Sequence, residues 1–557
     1  MKKLLAVLII LITSIPGLYA QTRQQTKNLT AFAKVWGFLK YYHPSVAKGS
    51  PDWDAELLKM VPEIEALPND DTFNAAVTAW YRSLPEAKLS AAITKLQGDS
   101  VIHIFDEQDI KHFGIPNELQ QQLTQLYLYH IPDSNKFIGN VYNGHPLDYI
   151  YHNENPYTEP AYPDEAHRLL ALFRYWNIIN YFYPDKHINA KNWDAVLPLF
   201  IPKFIADANA GEYRQTFLML TAQLKDSHSF FSQKDWNKIH QLSPPFSTYY
   251  INGKYYIGES RYDSLTRKQD LKVGDEIVSI NNKPVKDRIE ELKPYTTGTN
   301  ELSFYRNIGN SLFAVDSSKS IAAGFKRKGV ITNKIVPLFT GMELYNYRKT
   351  HWLKQWQNMG NGVWYVRICE VSNPDTLKKL FADIQNAKIV IWDMRSYPSF
   401  QVVSAMGPGL YQNTPESTIA NIGLLLYPGT LVSRNEKAIG TQNELKLPLY
   451  KGKMIVLVNE HTQSLSESIA YELRFRPETI IMGRQTAGTT GNILFVDYPG
   501  GIGASFTGVG VRGKKNSFSE GKGVKIDKEI KLSGEKLTQY PDYVLEMAYQ
   551  EALKELQ

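Results

Sequence analysis

Ser464 is set between two stretches that would prepare a hydroxyl for chemistry. The six residues from Met454 to Asn459 form a short, nearly unbroken apolar run, which suits a strand buried on both faces. After a polar bend, Leu465, Ile469, Ala470 and Leu473 recur at the spacing of an amphipathic helix. A serine is thereby placed where a buried strand turns into a helix N-terminus. Backbone N–H donors and a partial positive charge gather there, and an attacking alkoxide and a tetrahedral oxyanion need both. The same position also suits a serine that only caps the helix, so further residues have to decide between the two.

A hydroxyl of this kind needs a base, and the chain holds few isolated candidates. His461 lies three residues before Ser464, and Ser227-His228 closes a helical segment far upstream. Glu467, in the first turn of the predicted helix, reads either as a carboxylate meeting the helix dipole or as a site residue.

Several chemistries are excluded. There is no HExxH and no cluster of cysteine ligands, so neither a metal nor another cofactor is expected. Gly508 to Gly513 fits GxGxxG but leads into Lys514-Lys515-Asn516 rather than a helix, which argues against a dinucleotide site. No GxSxG surrounds Ser464, against an α/β-hydrolase esterase. The formal charge of +6 is spread without a basic block, so no nucleic-acid partner is expected.

The elements that must position the serine follow in chain order. Met1-Lys2-Lys3, an apolar run from Leu4 to Ile15 and Gly17 to Ala20 have the layout of a secretory signal cut after about Ala20. No later stretch has the length of a membrane span, and Cys369 is the only cysteine, so the exported chain is expected to be held by its cores, in a periplasm or outside the cell.

Residues 35–54 align with residues 175–194 without a gap, at an offset of 140, so that Trp36, Pro44, Trp53 and Asp54 recur as Trp176, Pro184, Trp193 and Asp194. This is a duplicated helical unit. Pro85 interrupts the end of the first copy, where the second continues to Ser227-His228. Strand-like runs such as Val101 to Phe105 and a proline-rich linker at 153–164 separate the copies.

Short strands from about 243 to 340 include Leu271 to Val285, a segment that resembles LkpGDxIlxInGxpV of PDZ-like domains, with Asn282 for the usual glycine. Such a domain would dock an extended peptide on a sheet edge. From Gly362 strands and helices alternate at 363–368, 374–386, 388–393, 422–426, 454–459 and 479–482, the pattern of a mainly parallel α/β layout. A surface helix is predicted at 540–556.

Three blocks carry a family resemblance. Lys388 to Pro398 is similar to the DLRxNxGG strand of the C-terminal processing (tail-specific) serine peptidases, Val456 to Glu467 to their serine block, and Gly483 to Gly488 to GxxTxG. Thr489 occupies the place of that branch's lysine base. The chain therefore resembles more closely the branch typified by the tricorn core protease and the interphotoreceptor retinoid-binding protein repeats.

The resemblance implies a ClpP/crotonase-like core and a tetrad of Ser464 as nucleophile, His228 as base, and Ser227 and Glu520 in support. It also implies an oxyanion hole from the Leu465 N–H and the loop at Ser399-Phe400, where relatives have Gly-Gly. Tyr397 replaces the motif asparagine.

The expected organisation is a multidomain α+β and α/β chain. It comprises a signal peptide (1–20), a first helical repeat with its β and linker segment (21–155), a second repeat carrying Ser227-His228 (156–242), a PDZ-like domain (243–340), the peptidase core (341–535) and a C-terminal helix (536–557). The expected function is cleavage of peptides or unfolded proteins by an exported serine endopeptidase. The alternatives are a catalytically weak binding protein on the same fold and an envelope scaffold built on the helical repeats.

Overall fold

The computed structural model describes residues 23–557 apart from 132, 143–144, 152, 234–241, 259–262, 315–317, 351–353, 440–444 and 515–517. The proposed signal peptide lies outside the described residues. Two compact units are present: 1–223 with 421–433 and 492–509, and 224–420 with 434–491 and 510–557. Among the described residues no helix is long and apolar enough to cross a membrane.

In the first unit the duplication is visible atom by atom. The helix at 23–42 and the helix Glu165–Phe182 each place a tryptophan against the start of the next helical segment. Trp36 Nε1 donates to Trp53 O and Trp53 Nε1 to Trp36 O, both at 3.0 Å. Trp176 and Trp193 repeat this exchange at 2.9 and 3.0 Å. Each buried indole thus has a partner for its N–H, which is why the pair recurs at one spacing.

The stretch 153–164 is more than a linker. The Glu154 carboxylate is buried between Lys40 Nζ at 2.6 Å and Arg174 Nε at 2.9 Å, and Arg174 also reaches Asp54 at 2.8 Å. Chain from far downstream completes this unit. Val101–His103 pairs with Thr430 to Val432, and the hairpin of Ile493–Tyr498 and Ile502–Thr507 sets Tyr498 against Tyr175 and Phe217.

The second unit contains both β-rich parts. An antiparallel sheet runs in the order Val330–Pro337, Ser320–Arg327, Glu276–Ile280, Lys254–Ile257, Thr248–Ile251, with Val285–Leu292 and Glu301–Ser311 packed beside it. Ile280 pairs with Lys283, so Asn281-Asn282 is a two-residue turn with φ of 48° and 62°. Asparagine tolerates the left-handed conformation, which accounts for Asn282 in the place of glycine.

The core sheet runs Trp356–Gly360, Val363–Arg367, Ile389–Asp393, Lys453–Val458, Thr479–Gly483, Lys528–Glu529, and every pair after the first is parallel. Val390, Trp392, Met454, Val456 and Val458 face one hydrophobic cluster, shared with Asp375–Ile384 and Leu465–Leu473. Ile389, Ile391, Ile455 and Leu457 face another. Burial on both faces is the reason for the unbroken apolar run.

Two expectations are corrected. Residues 422–424 end the strand Glu416–Leu424 of a separate sheet, because an apolar run does not specify its strand partners. The terminal helix, Tyr543–Glu555, does not lie free on the surface: Val544, Ala548 and Ala552 cover the second face of the core sheet. Its N-cap Asp542 accepts Arg395 Nη1 at 3.0 Å and Nη2 at 2.6 Å, and Arg395 also grips buried Asp393. The DLR-like motif is therefore an ion-paired lock for this helix.

Candidate active site

Ser464 leaves the strand–helix junction in a conformation that side chains rarely adopt, φ 57° and ψ −125°. Bonds on both sides hold it there. Its N–H donates to Thr489 O at 2.8 Å, and its carbonyl accepts the N–H groups of Glu467 and Ser468 at 2.9 Å each. A non-glycine residue in such a region costs about 1–3 kcal/mol and persists only when its surroundings over-determine it. The side chain is half-buried, and the helix Leu465–Leu473 begins immediately after it. The Leu465 N–H is first in that helix and has no acceptor four residues back within it.

The GxxTxG block is the other wall. A Cβ on Gly483 would fall 2.0 Å from Val458 O, so only glycine allows the two strands this approach. The Thr486 hydroxyl donates to Glu467 Oε1 and accepts Val524 N at 2.9 Å. Gly488 N and Thr489 N donate to the same carboxylate at 2.9 and 3.0 Å. Glu467 is thus a buried strut for the loop that holds Ser464 rather than an exposed partner of the helix dipole. Burial raises its pKa to about 7, against these hydrogen bonds, which lower it.

Thr489 is the hub. Its hydroxyl donates to Glu520 Oε1 at 3.0 Å, meets the Thr299 hydroxyl, and lies 3.4 Å from Ser227 N. Thr490 N reaches Glu520 Oε2 at 3.4 Å. Ser227 and Thr299 clasp each other: Ser227 N donates to Thr299 Oγ1 at 2.8 Å, and Thr299 N and Oγ1 approach Ser227 Oγ at 3.1 and 2.9 Å. Gln463 Nε2, one residue before Ser464, donates to Ser227 O, one residue before His228, at 3.1 Å.

His228 belongs to the same compact unit as Ser464, since the first unit's N-terminal segment ends at residue 223. The tip of the second helical repeat therefore packs within the same unit as the core. Its turn is held by Asp226, whose Oδ1 accepts His228 N at 2.8 Å. The imidazole is buried, and its pKa falls to about 3, first through burial and then through the Arg306 charge. Arg306 itself is buried and donates to Glu460 O at 2.7 Å.

The loop after Ile389–Asp393 is tied to the serine turn at Met394 and Ser396. Met394 O accepts Thr462 Oγ1 at 3.0 Å and Ser466 Oγ at 2.7 Å; Ser396 O lies 3.3 Å from Ser466 Oγ. Ser399 has ordinary extended backbone, φ −69° and ψ 129°, as N-cap of the short helix Phe400–Val403, so its backbone has no need of the glycines found in relatives. Phe400 and Tyr397 are 66% and 59% exposed and turn their bulk to solvent. The His461 backbone N–H donates to Asn459 Oδ1 at 2.9 Å.

Sequence reading passed over Thr299, Asn300 and Arg306, which join the PDZ-like part to this site. Asn300 caps Glu301–Ser311 and also donates to Thr486 O at 2.8 Å and Ala487 O at 3.0 Å. Nothing in the neighbours of these three residues marks them, because their partners at the site, Ser227, Thr486, Ala487 and Glu460, are distant in the chain.

Residues 415–530 match the model of peptidase family S41, and residues 241–320 match that of the PDZ domain. Residues 415–530 therefore carry a peptidase family S41 domain. The chain is accordingly a serine-type peptidase with a PDZ domain. Among solved structures, this chain is similar to mature CPAF complexed with lactacystin, at a TM-score of 0.53 and 14% identity over 70% of this chain and 98% of that one. Mature CPAF alone gives 0.52 and 14%, over 69% and 96%. The Photosystem II D1 C-terminal processing protease gives 0.43 and 14%, over 68% and 99%. No curated protein sequence matches it.

Proposed function

We propose that this S41 peptidase is an exported endopeptidase in which Ser464 is the nucleophile, His228 the general base, and Ser227 and Glu520 their support. The observation that carries the reading is Ser464 itself, a non-glycine residue clamped at φ 57° on a strand-to-helix turn. The Gln463–Ser227 bond supports it by joining the two turns at the residues next to the reacting groups.

In acylation the His228 ring takes the Ser464 proton as Oγ attacks the scissile carbonyl. The oxyanion forms beside the Leu465 N–H and the loop at Ser399-Phe400, and the imidazolium returns the proton to the departing amine. Water then attacks the acyl carbon by the same route, losing a proton to His228; the Ser464 Oγ–acyl bond breaks, Oγ recovers that proton from the imidazolium, and the acid is released. One oxyanion donor contributes about 10²–10³ in rate. Peptides or unfolded chains are the substrates, docked as an added strand on the PDZ domain. The apolar N-terminus directs the chain to the periplasm or the cell exterior.

One observation favours a second reading, a catalytically weak peptide-binding protein. The depressed pKa of His228 makes an imidazolium costly at this place. A fluorophosphonate probe decides between them. Labelling lost in Ser464→Ala and in His228→Ala supports the peptidase; a folded wild-type protein that stays unlabelled and cleaves no peptide supports the binder.

A further inference from the structure

Thr299 and Thr489 lie in an unbroken line of buried polar groups from Glu520 to Ser227. Glu520 accepts the Thr489 hydroxyl, the Thr489 and Thr299 hydroxyls are bonded to each other, and Thr299 donates to Ser227 Oγ or to Thr489. A threonine hydroxyl has one proton to give and two lone pairs to receive. An ionised carboxylate only accepts, so with Glu520 ionised the Thr489 proton goes to it, Thr489 receives the Thr299 proton, and the Thr299 oxygen in turn receives from the Ser227 hydroxyl. The carboxylate thereby sets the direction of the hydrogen bonds along the line.

We propose that Thr489 and Thr299 are positioning residues for catalysis, a two-hydroxyl bridge that carries the charge of Glu520 to the Ser227-His228 turn. The proposal rests on the assignment of Ser464 and His228 made above and adds to it two residues outside that tetrad. It gives a use to two features that packing alone leaves unexplained. A buried Thr489 hydroxyl lies beside a buried carboxylate, where an apolar β-branched side chain of the same shape would fill the volume. Thr299 also meets Ser227 through both its N–H and its hydroxyl, which fixes a turn next to the histidine to a loop within the PDZ domain.

The bridge orients charge in a closed, low-dielectric place, where such hydrogen bonds act most strongly. Its effect belongs to the transition state, when the imidazolium forms, and not to peptide docking. Substitution should therefore lower kcat and leave KM in place.

The test uses the full-length chain with Thr489→Val, Thr299→Val, Thr489→Ser, Glu520→Gln and the double variant Thr489→Val/Glu520→Gln. A peptide substrate and the rate of fluorophosphonate inactivation are the two readouts. Each valine variant is expected to lose roughly 10–100-fold in kcat and in inactivation rate, the scale of a hydrogen bond to a charged group, with KM unchanged. Thr489→Ser restores the hydroxyl and should stay within about threefold of wild type. The double variant should be no slower than the slower single one, because both changes cut one line.

Wild-type kcat and inactivation rate in both valine variants would overturn the bridge. So would losses that multiply in the double variant, or a Thr489→Ser variant as slow as Thr489→Val. If Thr489→Val does not fold, the Thr299→Val and Thr489→Ser results decide. In all these cases Ser464→Ala and His228→Ala still report on the tetrad separately. A wild-type protein that the probe never labels removes both the tetrad and the bridge.

Discussion

The conformation of Ser464 makes a prediction about stability that runs opposite to activity. Ser464→Ala removes the hydroxyl but keeps a Cβ at φ 57° and ψ −125°, so the backbone cost of about 1–3 kcal/mol remains. Ser464→Gly removes that cost, since glycine adopts positive φ freely, but frees the unfolded chain, which is worth about 0.4–1 kcal/mol in the other direction. The difference leaves the glycine variant about 1 kcal/mol more stable than the alanine variant. On the proposed assignment, neither variant reacts with a fluorophosphonate.

With a slope of about 3 kcal/mol per molar urea, the unfolding midpoint should rise by roughly 0.3 M from alanine to glycine. Urea titrations followed by circular dichroism, run side by side at one pH, measure this. The alanine variant serves as reference because it shares the missing hydroxyl. A glycine variant less stable than alanine by about 1 kcal/mol or more would refute the reasoning. The turn would then be relaxed rather than held by Thr489 and the helix start, and the observation that carries the peptidase reading would lose its force.

Two further outcomes follow from buried charge. Glu472 accepts Ile439 N at 2.9 Å and Ser417 Oγ at 3.4 Å, and burial raises its pKa to about 8. A raised folded-state pKa contributes stability that is complete below the unfolded value near 4.5 and is lost as pH rises through 8. Glu472→Gln can keep both partners, so it should be more stable than wild type at pH 9, by on the order of a few kcal/mol, and close to it at pH 5. Denaturant midpoints at the two pH values check this, and an equal shift at both would contradict it. Asp542→Ala removes both the cap of Tyr543–Glu555 and one acidic partner of Arg395. It is expected to destabilise by about 3–5 kcal/mol, read from the same titrations, and a loss below about 1 kcal/mol would show the lock to be idle.

The parts of this molecule that were legible in sequence are those whose cause is local. The run at 454–459 announced a strand with two buried faces, and the tryptophans at 36, 53, 176 and 193 announced a repeat because each pair satisfies itself. Asn282 looked like a departure and proved to be a left-handed turn residue. The strand at 422–426 was assigned to the wrong sheet, since periodicity specifies a face and not a partner. Glu154 read as linker because the Lys40 and Arg174 that bury it lie 114 and 20 residues away.

At the site, the resemblance proposes Ser464, His228, Ser227 and Glu520, whereas Thr299, Arg306 and the bracing role of Glu467 were invisible. Each of these acts through a group distant in the chain, and nothing in its own neighbours marks it. The packing of the histidine turn was hidden for the same reason, because it depends on Thr299 and Gln463 and not on where its helix ends.

The interleaving of the first unit bears on how the protein is made. Residues 23–223 leave the ribosome early, yet the hairpin that supplies Tyr498 and the Pro499 carbonyl bonded by Tyr213 arrives about 270 residues later. At translation speeds of about 5–20 residues per second, that is a wait of roughly 15–50 s. During it, the aromatic bed around Tyr175 and Phe217 lacks its cover. The portion born first is finished last, and a holding chaperone would have its longest engagement there.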